Sequence, residues 1–561
     1  MKKTYSFDVF DTCLCRLCGE PKMLLDVLSW KVVDLMPLAE GDKEHLREQF
    51  VALRADVSGE LHAVYSSLAN YYPLPLPVEG MVELELDTER DMLMPIKETL
   101  NLVEQCRKKG DILFVSDMYL PSDFIRERLE YWGFYKPGDT LYVSEEAGAL
   151  KRDGSLFHLI HEQRGISYRD WHHYGDSRKS DFMTPRKSGI HAHRIAYKFL
   201  PIEERWRSYP CTQGQFAALL AGVSRAMRLS TDIPKDQSQF VCDIAAPVMV
   251  AWMYRIMADA QQRNLRKLYF FARDTHTEYL IARSLTALFP DIEVHYLFVS
   301  GSALYNDSEI RLDYLVQEGV ADQAGGVAIV DSGSTGKGLQ AVNELLVAHG
   351  YPKAVSYLLW YGNAYLSRLE PEYSVTAEVE EFYSAVMAQP IIHKITGVRK
   401  IIELIFPMNF HSRTVGYERR SDGRIRPVFD KSQNGDDMSL SDFRTLKEQS
   451  DHLCIQYAEA FHRVQLHRYA YETLHYVALP AFGHFAVHPE RPYVDYLHRF
   501  QYEGNPYVAR LGLKTLAQHR YSWLRGSLAY TLPRPLWRWA DSIANSRLMR
   551  RMKKLIRLIT H

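Results

Sequence analysis

Four short segments of strand character near the start of this chain each close on polar residues. Residues 5–7 lead to Asp8, 112–115 to Ser116 and Asp117, 141–143 to Ser144, and 171–175 to Asp176. Runs of this length, separated by segments of helical spacing such as 123–132 and 155–163, predict buried parallel strands alternating with helices. That rhythm belongs to a doubly wound α/β sheet, in which ligands bind outside the C-terminal ends of the strands. Between the first and second runs lie roughly a hundred residues, far more than a crossover needs. Residues 23–35, 42–57, 62–71 and 82–94 of that stretch read as helices.

The pattern continues after a largely helical segment at 201–238. A helix is predicted over 245–260. A strand from Lys267 ends near Arg273, Asp274 and His276, and a helix runs on to Leu288. A strand over 294–300 follows, then another from Val327 that closes on Asp331, Ser332, Gly333, Thr335 and Lys337 before a helix at Leu339. The segments 268–285, 295–304 and 327–333 echo 112–129, 140–150 and 172–178. A second Rossmann-like domain without an equivalent of the first strand is therefore expected. The loop from Asp331 could cradle a phosphate at a helix N-terminus, with Arg273, Asp274 and His276 on the same edge; a tight strand-to-helix turn is the alternative. Glu403, inside an apolar run between His393 and His411, is costly to bury unless paired. Residues 430–438 read as a surface loop, and 450–473 as long helices.

Composition narrows the functional classes. The chain has 561 residues, 46% apolar and 24% charged, with 68 Lys and Arg against 69 Asp and Glu for a net charge of −1. It lacks the basic footprint of a nucleic-acid binder. Seven scattered cysteines suit reduced thiols in a cytoplasm. Cys13, Cys15 and Cys18 lack a nearby fourth metal ligand and read as small apolar fillers. No run approaches the ~20 apolar residues of a membrane span. Residues 534–561 hold Arg534, Arg538, Arg547, Arg550, Arg551, Lys553, Lys554 and Arg557 against the single acid Asp541, with Leu548, Met552, Leu555 and Ile559 on one helical face. A basic amphipathic helix is expected there, lying on a membrane surface or docked on the protein.

The strand-end residues carry the chemistry. Asp8, in Ser6-Phe7-Asp8-Val9-Phe10-Asp11-Thr12, can attack an electrophile or hold a hard cation. It is followed in order by Ser116, Lys151 and the pair Asp176 and Asp181. This set resembles the haloacid dehalogenase (HAD) superfamily over roughly residues 4–200, all four motifs matching in type and order. The resemblance implies that Asp8 is a nucleophile forming an aspartyl intermediate, that Ser116 binds the transferring group and that Lys151 neutralises charge. It implies Mg²⁺ held by Asp8, the backbone carbonyl of Phe10, Asp176 and Asp181, and a helical cap over about 17–100. One position departs from the pattern: where phosphatases of the superfamily carry an acid two residues after the nucleophile, this chain has Phe10. Asp11, one place later, is the nearest substitute.

The expected fold is α/β: a Rossmann-like HAD core over 1–200 with its cap inserted after the first strand, linker helices at 201–238, and a second Rossmann-like domain at 239–430. A helical region at 431–533 and the basic helix at 534–561 complete it. "FDVFDT" with "FFARD" and "VDSGSTG" resembles predicted bacterial HAD hydrolases encoded with glycosyltransferases in surface-polysaccharide clusters. That resemblance implies a Mg²⁺-dependent, phosphatase-like hydrolase acting on a phosphorylated sugar or glycan intermediate. It implies glycosyltransferases as pathway partners and a cytoplasmic location, peripheral at the inner membrane if the basic helix docks there. The alternative is a non-catalytic or transferase-type component of a polysaccharide assembly machine with a degraded core.

Overall fold

The computed structural model describes residues 3–57, 59–209, 211–272, 275–300, 303–304, 308–331, 337–358, 414–430, 440–499, 501–502, 505–506, 524–533, 536 and 538. The chain divides into two compact units, Met1–Asp232 with Glu459–Tyr469, and Ile233–Ala458 with Ala470–His561.

The first unit opens on β1 (Lys3–Phe7) and β2 (Leu14–Arg16), followed by helices α1 (Pro21–Asp34), α2 (Glu40–Ala55), α3 (Leu61–Leu68) and α4 (Val78–Met92). The chain returns through β3 (Leu93–Pro95), and β4 (Gly110–Ser116), β5 (Thr140–Val143), β6 (Trp171–Gly175) and β7 (His191–Arg194) follow with helices between them. Five strands form one parallel sheet in the order β5-β4-β1-β6-β7. Both faces are covered, as an all-parallel sheet requires. Ile112 and Phe114 of β4 join a core with Phe7, Phe124 and Leu129, while Leu113 and Val115 pack with Leu156, Phe157, Ile160 and Trp171. The order reverses at β1, so the switch point lies at the C-terminal ends of β1, β4 and β6.

The helical insertion has a defined stem. β2 pairs antiparallel with β3, Leu14 opposite Pro95, so α1–α4 leave and re-enter the domain through one two-stranded ribbon. Helices Pro201–Arg207 and Cys211–Leu229, expected as linkers, belong to the first unit. The reason is packing: Phe216, Ala217, Leu219, Leu220, Val223, Ala226 and Met227 are all buried. Gly222 also lets the helix approach the chain after β2, since a Cβ there would stand 2.5 Å from the backbone of Leu17, Cys18 and Gly19. The thiols of Cys13, Cys15 and Cys18 are free and buried.

In the second unit β8 (Lys267–Phe271), β9 (Glu293–Leu297), β10 (Val327–Asp331) and β11 (Val355–Leu358) form a parallel sheet ordered β11-β10-β8-β9. Removing β1 from the first sheet leaves β5-β4-β6-β7, which is this order read from β9. The architecture is α/β with two Rossmann-like sheets and added helices. A hairpin, β12 (Thr414–Arg419) and β13 (Ile425–Phe429), packs Ile425 and Tyr417 against this core. The helical stretch Lys235–Gln262 is long and apolar enough to cross a membrane, with mean hydropathy 1.5. The helix expected over 245–260 lies within it, and 94% of its most apolar 18-residue window is buried inside the protein. Residues 393–411, and all but Leu536 and Arg538 of the basic helix at 534–561, lie outside the described residues.

Candidate active site

β1 delivers Asp8 to the switch point. The backbone N–H of Asp8 donates to the Tyr174 carbonyl at 2.8 Å, carrying the ladder one residue beyond the strand. The chain then turns back tightly. Cys13 and Leu14 both donate to the Val9 carbonyl, at 2.8 and 2.9 Å, and the Cys13 thiol donates to the Asp8 carbonyl at 3.2 Å. Thr12 Oγ1 donates to Asp8 Oδ2 at 3.0 Å. Asp11 takes φ 57°, a left-handed conformation that Asp tolerates better than most side chains.

Lys151 reaches across to Asp8. Its buried Nζ donates to Asp8 Oδ1 and, at 2.7 Å, to Asp181 Oδ1. Its backbone N–H donates to Asp117 Oδ1 at 2.8 Å, which ties the loop after β5 to the end of β4. Asp181 is held from below by a directed chain. Trp171 Nε1–H donates to Ser6 Oγ at 2.7 Å, and Ser6 Oγ lies 2.7 Å from His173 Nδ1. His173 Nε2 lies 3.1 Å from Asp181 Oδ1. Since the Asp181 carboxylate can only accept, His173 Nε2 carries the proton, and in this tautomer Nδ1 accepts from the Ser6 hydroxyl. The Ser177 N–H donates to Asp181 Oδ2 at 3.0 Å. Gly175 makes room: a Cβ there would stand 2.5 Å from Asp181 Cβ and Cγ.

Asp8, Asp176 and Asp181 each offer an oxygen within 4.8 Å of the others. Burial pushes the Asp8 carboxyl up to about 8; Lys151 pulls it down while Asp181 and Asp176 push it further up. Asp176 is raised to about 6 by burial, then by Asp11 and Asp181. For Asp181 burial is outweighed by Lys151 and His173, which hold it well below the usual carboxylate range. The two carboxylates beside Lys151 raise its ammonium against the effect of burial. Lys151 bonds two of the three carboxyls, and burial and mutual repulsion push Asp8 and Asp176 up; a hard divalent cation with oxygen ligands would relieve that repulsion. Ser116, at the end of β4, is 1% exposed, and its Oγ has no hydrogen-bond partner. Native proteins rarely leave a buried hydroxyl unpaired.

The structure therefore brings Asp8, Ser116, Lys151, Asp176 and Asp181 to one edge of one sheet. Asp11 behaves differently from a stand-in acid: its Oδ1 sits 2.9 Å from Arg225 Nη2 in an ion pair. The Phe10 ring lies 4.5 Å beneath the Arg16 guanidinium. In the second unit Asp331 is buried at the end of β10, and His276 Nδ1 lies 3.5 Å from Asp451 Oδ2. Arg273, Asp274, Ser332, Gly333 and Thr335, and the side chain of Lys337, lie outside the described residues. The sequence pattern did not single out Ser6, Thr12 or His173. The two-residue alternation of β6 placed 171, 173 and 175 on one face, which was the available signal for His173.

No protein-family model matches this chain, and no curated protein sequence does. Solved structures are similar to about a third of it. A HAD-hydrolase from Bacillus subtilis, its structure bound to magnesium, shares 19% identity, with 34% of this chain and 86% of that one covered and a TM-score of 0.24. A HAD phosphatase from Thermococcus onnurineus shares 18%, covering 35% and 87%, with a TM-score of 0.27. A 2-haloacid dehalogenase from Pseudomonas syringae shares 16%, covering 34% and 84%, with a TM-score of 0.24.

Proposed function

We propose that the first unit is a HAD-type phosphohydrolase with Asp8 as nucleophile. The observation that carries this reading is the Asp8–Lys151–Asp181 cluster at the switch point, with the unpartnered Ser116 hydroxyl on the next strand. Phosphoryl transfer asks a protein chiefly for positioning and for charge stabilisation at the phosphoryl oxygens. Asp8 is positioned by Thr12 and Lys151. Lys151 neutralises charge on the attacking and phosphoryl oxygens, and Ser116 donates its free O–H to the transferring group. Asp8, Asp176, Asp181 and the Phe10 carbonyl would hold Mg²⁺, which supplies further neutralisation of phosphoryl charge. The inserted helices α1–α4 serve as a cap that excludes water and selects substrate.

The proposed substrate is a phosphorylated sugar or glycan intermediate of bacterial surface-polysaccharide assembly. Glycosyltransferases are the pathway partners, and residues 534–561 the contact with the inner membrane. The test is direct. Asp8→Asn, nearly isosteric, should abolish hydrolysis of phosphorylated sugars while the folded state persists. Beryllium fluoride with Mg²⁺ should form an acyl-phosphate mimic on Asp8 of the natural protein. Full activity in the Asn variant would rule out Asp8 as the nucleophile, and no hydrolysis by the natural protein would favour the non-catalytic or transferase reading.

A further inference from the structure

Helix α4 buries two carboxylates on one face and satisfies them unequally. From this contrast we infer that Glu89 determines substrate specificity: its Oε2 accepts a hydrogen bond from a hydroxyl on the organic part of the substrate. The inference rests on the phosphohydrolase reading and deepens it, naming what recognises the group that carries the phosphate.

The buried positions of α4 are Met81, Glu85, Thr88, Glu89 and Met92, a stripe of helical spacing. Glu85 is satisfied at both oxygens. Its Oε1 accepts from Arg54 Nη2 at 2.8 Å and from the Tyr119 hydroxyl at 3.3 Å. Its Oε2 accepts from Arg54 Nε at 3.0 Å and from the Tyr65 hydroxyl at 2.6 Å. Glu89, one turn later, is just as buried and only half satisfied. Both of its contacts with Arg16, Nε at 2.7 Å and Nη2 at 2.5 Å, fall on Oε1. Its Oε2 is buried and has no hydrogen-bond partner. A counter-ion for Arg16 and nothing more would be served best by the two-oxygen pairing that Arg54 gives Glu85. Buried carboxylate oxygens left unpaired are costly, so the open position calls for a donor that the folded chain does not supply.

The surroundings of Glu89 say where that donor comes from. The Arg16 guanidinium that holds Oε1 covers the Phe10 ring at 4.5 Å, and Phe10 belongs to the turn that begins at Asp8. Tyr119, which bonds Glu85, follows Ser116 by three residues. The acid face of α4 thus stands over the two loops that carry the nucleophile and the phosphate-binding hydroxyl. A phosphate held by Asp8, Ser116 and Lys151 at the sheet edge projects its organic group toward the insertion. Protein atoms now shield Oε2, so the hydroxyl enters when insertion and core part to admit substrate. A site built to bond a hydroxyl rejects the analogue that lacks it, because its own buried group is then left unpaired. The class selected is a phosphate ester of a polyhydroxylated group, and a negative charge on that group beside Glu89 is disfavoured.

The experiment measures kcat/KM of the full chain with Mg²⁺ on glucose 1-phosphate, glucose 6-phosphate and mannose 6-phosphate. Monodeoxy analogues of the best of these follow, with acetyl phosphate, which has no hydroxyl, as the reference. Loss of one particular hydroxyl should lower kcat/KM about 10–100-fold, the range of a hydrogen bond to a charged group. Glu89→Gln, which keeps an oxygen for Arg16, should lower the ratio of sugar phosphate to acetyl phosphate at least tenfold. In that variant the same deoxy analogue should no longer be worse than its parent. With Asp8 still labelled by beryllium fluoride, three results overturn this inference alone: no single hydroxyl matters, the ratio is unmoved by Glu89→Gln, or no sugar phosphate is cleaved. No cleavage of any of these compounds and no labelling of Asp8 overturns the phosphohydrolase reading itself. If Glu89→Gln does not fold, Glu89→Asp, which keeps the charge opposite Arg16, is read in the same way.

Discussion

Ser116 and Gly175 show how single residues separate stability from function at this site. Ser116 Oγ is buried with no partner, so its desolvation cost, of the order of 1–3 kcal/mol, is not repaid in the folded state. Ser116→Ala should therefore leave urea-unfolding stability unchanged or higher while phosphohydrolase kcat/KM falls roughly 10–100-fold; a loss of stability would show that the hydroxyl is structural. Gly175→Ala should do the reverse in kind. Its Cβ would meet Asp181 at 2.5 Å, and overpacking of this sort costs about 1–3 kcal/mol. The displaced carboxylate should also weaken Mn²⁺ binding, read by electron paramagnetic resonance. The motif residues were visible in the sequence because their types and order follow the strand ends. Arg225 was not, because the 213 positions between Asp11 and Arg225 in the chain are bridged only by tertiary folding.

At the scale of elements, the helical insertion is organised around two acids on one face of α4. Glu85 accepts from Arg54 and from the Tyr65 hydroxyl at 2.6 Å, and Glu89 pairs with Arg16. Both carboxylates are fully buried. Removing one partner of such a pair typically costs 3–5 kcal/mol, because the other charge stays buried. Glu85→Ala should destabilise the first unit by that order in denaturant unfolding, and Tyr65→Phe by less, about 1.5–3 kcal/mol. Equal effects would mean that the ion pair is not what holds the insertion. The helices themselves were legible from spacing, but 85 and 89 looked like ordinary charged positions of an amphipathic helix. The echo of the first sheet in the second was also readable, and the topology gives it form: the order β9-β8-β10-β11 is the first order without β1.

At the scale of the whole molecule, each unit has its own sheet and core, so a ligand of one should act on that unit's unfolding. A cation that neutralises Asp8, Asp176 and Asp181 binds the folded state only. At a hundredfold excess over Kd such linkage contributes about 2.7 kcal/mol, or roughly 5–10 °C for a domain of this size. Calorimetry should show Mg²⁺ raising one transition and leaving the other in place, with chelator reversing the shift and Asp176→Asn removing it. A uniform shift of both transitions would count against a site confined to the first unit.

Strand runs, helical periodicity and the order of Asp8, Ser116, Lys151, Asp176 and Asp181 were determined by the sequence itself, since alternation and local turn chemistry act over a few residues. Tertiary structure alone decided three things. Residues 201–229 were assigned to the first unit by an apolar helix that needs a surface to cover it. The stretch 235–262 was placed inside the protein, because length and apolarity do not say what surrounds a helix. Asp11 was committed to Arg225 and not left free as an acid, because ion pairing depends on proximity in space, which no local pattern encodes.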